Sequence, residues 1–139
     1  TTRWPGIRAS SGPGGGLVST ASDLVRWGAA LFGGKALSET ALDLLMTSFP
    51  IDPEMPSIRY GMGVAIYQTT PSGPVFGHGG WIPGYTSSLR YFDEYGVAIA
   101  FQINTDVGLA DNTSSVVPTV EARLAEVILS AEKEVDKGP

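Results

Sequence analysis

Three turn signals cut residues 60–104 into four short apolar stretches, and that punctuation constrains the fold more than anything else in the chain. The turns are Pro71-Ser72-Gly73-Pro74, Pro83-Gly84 and Asp93-Glu94-Tyr95-Gly96. Proline presets φ and glycine supplies positive φ, so each segment reverses the chain within a few residues. The stretches between them, 60–67, 75–80, 86–92 and 97–104, are too short for stable helices and read as strands. Strands joined by such short connections run antiparallel, as a meander. Ala98-Ile99-Ala100-Phe101 is apolar at consecutive positions, which predicts a strand covered on both faces.

Helical patterns flank this region. Thr20-Ala21-Ser22-Asp23 matches a capping box with Asp in place of Glu. The helix it opens, over about 20–32, is expected to bury Leu24, Trp27, Gly28 and Leu31 and to stop at Gly33-Gly34. Ser38 caps a second helix over about 39–48, with Leu42, Leu45 and Met46 inward. Pro50, Pro53 and Pro56 make 49–58 irregular. A last helix over about 117–134 carries Val117, Val120, Leu124, Val127, Ile128 and Ala131 as one stripe. Residues 1–16 and 105–114 read as loops. Helices segregated from a run of strands indicate an α+β domain, an antiparallel sheet flanked by helices. The 139 residues suit one such domain.

Composition narrows the function. A net charge of -5 with scattered Lys and Arg argues against nucleic acid, which needs a basic patch. No apolar run reaches the roughly 18 residues of a membrane span. With no cysteine there is neither disulfide nor thiolate chemistry. Gly14-Gly15-Gly16 lacks the lysine and spacing of a phosphate loop and is read as a turn. Asn104, Asp106 and Asp111 do not match calcium-loop spacing and are read as solvated. Asn112-Thr113-Ser114 forms a glycosylation sequon, meaningful only in a secreted eukaryotic chain.

One motif calls for chemistry: Gly77-His78-Gly79-Gly80-Trp81, at the end of the second strand. Glycines weaken a strand but let a ligand lie against bare backbone. His78 is the only histidine, so no second imidazole or thiolate exists to complete a metal site. Neither metal nor cofactor is expected.

Taken together, three segments resemble the serine β-lactamase-like hydrolases, which include class C β-lactamases, D-Ala-D-Ala carboxypeptidases, penicillin-binding-protein-like peptidases and related esterases. Residues 14–24 resemble their glycine-rich entry and capped helix. Tyr60-Gly61-Met62-Gly63-Val64 resembles the strand that follows, and Gly77-His78-Gly79-Gly80-Trp81-Ile82-Pro83-Gly84-Tyr85 resembles their third active-site motif. In such enzymes a Ser-x-x-Lys serine attacks a carbonyl and forms an acyl-enzyme. The resemblance implies that His78 stands where the third-motif lysine stands, with Gly79 and Gly80 after it. The Trp81 N–H becomes an oxyanion donor. Tyr85 is read as a candidate for lining the substrate pocket, with packing in the core or on the surface as the alternative. The resemblance also implies an extracytoplasmic location.

The departures are as informative. No Tyr-x-Asn occurs, and the one Ser-x-x-Lys string, Ser130-Ala131-Glu132-Lys133, sits late in the last helix rather than opening one. The expectation is therefore the C-terminal part of a hydrolase acting on amide, ester or β-lactam bonds, cut from something longer and inactive alone. The alternative is a non-catalytic binding or complementing subunit. Expected partners are a small-molecule or peptide substrate and the missing N-terminal half, or a second copy joined through an exposed sheet edge.

Overall fold

The computed structural model describes residues 18–108 and 116–135. The glycine run 14–16, Asp111 and the sequon at 112–114 lie outside the described residues. The elements run α1 (Ala21–Phe32), α2 (Glu39–Met46), β1 (Phe49–Pro50), β2 (Ile58–Tyr60), β3 (Ala65–Tyr67), β4 (Val75–Ile82), β5 (Tyr85–Phe92), β6 (Val97–Ile103) and α3 (Val116–Val135), with a 3-10 turn at Asp93–Tyr95. All six strands form one antiparallel sheet in sequence order. This is the α+β architecture expected from the turn punctuation.

The helix caps follow from their sequences. The Thr20 hydroxyl accepts from the Asp23 N–H at 3.1 Å, and Ser38 accepts from Ala41 at 3.3 Å. Each satisfies an N–H that the first helical turn leaves without a partner. The Asp23 carboxylate accepts from the Thr20 hydroxyl at 2.8 Å, and this bond, assisted by Arg26, holds its pKa below the usual carboxylate value.

Two cores sandwich the sheet. On one face Val75, Phe92 and Ile99 pack against Ala125 and Leu129 of α3. On the other, Phe32 of α1 meets Phe76 and Tyr91 at ring-centroid distances of 5.8 and 5.5 Å. Gly28 lets α1 approach closely, because a Cβ there would lie 2.8 Å from Leu89 Cδ1.

Several expectations change. Residues 60–67 are not one strand: Gly61 N–H donates to Val64 O at 2.8 Å and Gly63 takes φ 78°, so a tight turn separates β2 from β3. The proline-rich stretch still contributes β1, where Pro50 at the sheet edge loses little by lacking an N–H. Trp27 is 53% exposed rather than core. Contact through Gly28, Leu31 and Phe32 turns the indole outward. Val127 is likewise exposed, with Ala125 and Leu129 buried in its place. The rotation of α3 is fixed by Glu121, which reaches down to β5.

Candidate active site

Strand β4 outlasts β3. Their pairing ends at Ala65↔Gly77, whereas β4 continues beside β5 through His78↔Leu89, Gly79↔Ser88, Gly80↔Ser87, Trp81↔Thr86 and Ile82↔Tyr85. Among the described residues, 78–82 therefore have a strand on one side only. The two-residue connection Pro83-Gly84 makes Ile82 and Tyr85 a hydrogen-bonded pair, and the Asp93 N–H to Pro74 O bond, 3.1 Å, fixes the same phase at the other end. Alternation then turns the N–H and C=O of Gly79 and Trp81 away from β5, toward the open side. An extended ligand can lie there against N–H donors and a carbonyl.

Gly77 makes the departure of β4 from β3 possible. Its φ is 154°, and a Cβ would strike the Leu89 carbonyl oxygen. At Gly80 a Cβ would strike the Ser87 hydroxyl, while Gly79 has room. The bare edge is thus enforced at Gly77 and Gly80 by packing as well as by composition.

The structure brings His78, Gly79, Gly80 and the Trp81 backbone together on this edge. The His78 Nδ1 contacts the Gly79 carbonyl oxygen, so the imidazole curls back along the strand edge. The Trp81 indole is half exposed and donates to Asp106 Oδ2 at 3.2 Å. Asp106, expected to be merely solvated, instead ties the loop after β6 to β4. Tyr85 lies across the hairpin from Ile82, mostly exposed, one residue beyond the pair that carries Trp81.

Sequence reasoning missed Tyr60. Its hydroxyl lies 2.7 Å from His78 Nε2, and the two rings meet edge to face at 5.7 Å. Tyr60 ends β2, two strands away, and reaches over the short β3. The turn behind it is pinned by α2, whose Leu45 carbonyl accepts from Met62 N–H at 3.1 Å. Gly61 permits that approach, since a Cβ would sit 2.6 Å from the same oxygen. The only signal in the sequence was the aromatic residue before Gly61-Met62-Gly63, and register alone could not show where it points.

Beneath the edge, Ser88 opposite Gly79 is almost fully buried and donates to Glu121 Oε1 at 2.5 Å. Arg90 pairs with the same carboxylate at 3.0 Å, and its guanidinium lies 5.5 Å from the centre of the Tyr67 ring. These bonds brace β5, and through it β4, against α3.

Ser130 does not resemble a nucleophile: its hydroxyl donates to the Glu126 carbonyl within α3. That internal bond matches the ordinary back-bonding of a helical serine.

The chain is 33% identical to a D-stereospecific amidohydrolase from Streptomyces sp., over 61% of this chain and 25% of that one, with a TM-score of 0.56. It is 31% identical to the D-amino acid amidase from Ochrobactrum anthropi SV3 complexed with D-phenylalanine, over 82% of this chain and 37% of that one, with a TM-score of 0.63. Against the same amidase complexed with L-phenylalanine amide the values are 28%, 86%, 34% and 0.65. The chain thus spans between a quarter and just over a third of the length of these structures. No curated protein matches. A family profile described as Beta-lactamase matches residues 1–116, and the chain belongs to that family.

Proposed function

We propose that this chain supplies one wall of the active site of a serine hydrolase that cleaves amide bonds through an acyl-serine intermediate. The observation that carries this reading is the open end of β4, where the Gly79 and Trp81 amides face a free side beside His78. The Trp81 N–H serves as an oxyanion donor, a group whose loss typically costs about 10²–10³ in rate. Gly79 and Gly80 let the substrate approach the backbone, and Tyr85 borders the far end. Amides are favoured over esters and β-lactams because the similar structures are named as amidases or amidohydrolases.

The attacking serine is proposed to come from a segment outside these 139 residues, because the chain's one Ser-x-x-Lys string lies in α3 with its hydroxyl bonded internally. Intact mass after incubation with a fluorophosphonate tests this. The chain alone should stay unmodified. It should promote labelling of a nucleophile-bearing partner segment when the two are mixed. A stoichiometric adduct on a serine of this chain would overturn the reading.

A further inference from the structure

We infer that Tyr60, not the His78 ring, is the polar side chain that this edge offers to a ligand beside its backbone amides, and that it is held as a hydrogen-bond acceptor. The inference deepens the amide-hydrolase reading above and rests on it for the identity of the ligand.

The Gly79 carbonyl fixes the tautomer of the His78 ring. A carbonyl oxygen can only accept, so the Nδ1 in contact with it carries the ring proton. In the neutral imidazole Nε2 is then an acceptor. Its partner at 2.7 Å is the Tyr60 hydroxyl, which must donate. Both ring nitrogens are thereby occupied within the chain. Histidine at the end of a bare strand edge would ordinarily present a nitrogen to the substrate; here it presents none.

The free valence passes to Tyr60. Its single proton is committed to Nε2, so its oxygen keeps only lone pairs for a further partner. Such an oxygen takes a donor, an amine, ammonium or amide N–H, and repels a carboxylate. Tyr60 is 41% exposed as a residue and its contact with His78 lies at the exposed surface, so a bound molecule can approach it. The site selects an amide substrate that carries an N–H donor beside the scissile carbonyl, such as an amino acid amide with a free amino group. His78 acts through Tyr60 as a positioning residue.

The single histidine makes a clean test. Long-range proton–nitrogen NMR spectra of the 15N-labelled chain, recorded with the imidazole neutral, should show a protonated Nδ1 and an unprotonated Nε2. In Tyr60→Phe the Nε2 resonance should move downfield as it loses its donor, with circular dichroism unchanged. At the same pH, phenylalanine amide should shift the His78 resonances and 3-phenylpropionate should not. Tyr60→Phe should weaken the amide by about fivefold to tenfold, the loss of one hydrogen bond. A protonated Nε2 in the native chain would overturn the inference. So would 3-phenylpropionate binding as well as the amide, or neither probe moving His78. None of these readouts requires hydrolysis, so failure of the hydrolase reading would show in the labelling experiment and leave the tautomer result standing.

Discussion

Removing the Glu121 carboxylate tests whether the brace under the open edge of β4 is structural. In Glu121→Ala the Ser88 hydroxyl, 2% exposed as a residue, loses its acceptor. An unsatisfied buried hydroxyl costs about 1–3 kcal/mol. Arg90, whose side chain is 13% exposed, keeps the Leu89 carbonyl at 3.1 Å and the Tyr67 ring but loses its only carboxylate among the described residues. Losing a partner there adds about 1 kcal/mol, well below the cost for a fully buried pair. The sum is about 3 kcal/mol. For a chain of this size each kcal/mol moves Tm by about 3–4 °C, so a fall of about 10 °C is expected. Urea unfolding followed by circular dichroism gives the free energy directly, with an unchanged m-value. Glu121→Gln keeps an acceptor for Ser88 and loses only the charge, so it should cost about half as much. Ser88→Ala and Glu121→Ala should be non-additive by about 1 kcal/mol or more in a double-mutant cycle. A Glu121→Ala loss under about 1 kcal/mol, or strict additivity, would refute the brace.

The two glycine positions should behave differently. Gly77→Ala meets the Leu89 carbonyl at a φ that side chains avoid and should cost about 2 kcal/mol or more, measured by urea unfolding. Gly80→Ala meets only the Ser87 hydroxyl, so its smaller loss should be recovered largely by Ser87→Ala, and equal costs at 77 and 80 would contradict this. Burial, aided by the Asp93 carboxylate, raises the Tyr91 phenol above its usual 10.0. The folded chain then holds that proton longer than the unfolded one, so stability should fall as pH rises past about 10, and Tyr91→Phe should flatten that alkaline decline. Strand β6, seven residues with no glycine or proline, ends the sheet among the described residues. We expect it to recruit a second copy or a missing strand, so light scattering should show concentration-dependent association, and a monomer at micromolar concentration would refute it.

The meander was legible because it is written locally. Pro83-Gly84 and Asp93-Glu94-Tyr95-Gly96 reverse the chain through their own φ preferences, and Thr20 and Ser38 cap helices with their own hydroxyls. The bare edge at Gly79 and Gly80 was legible for the same reason, since missing side chains are visible in any sequence. Burial was read less well where helical periodicity allowed neighbouring faces. Trp27 and Val127 fit the apolar stripes, but the Gly28–Leu89 contact and the Glu121–Ser88–Arg90 bonds set the rotation of α1 and α3. Only tertiary structure could decide what His78 does. Its partner Tyr60 lies 18 residues away in sequence and two strands away in the sheet, and they meet because β3 stops at Ala65 while β4 continues. Residue types and turns determine which strands form and where backbone is bare. Where one strand ends against its neighbour depends on packing across the whole sheet, and that ending decides which side chains meet at the open edge.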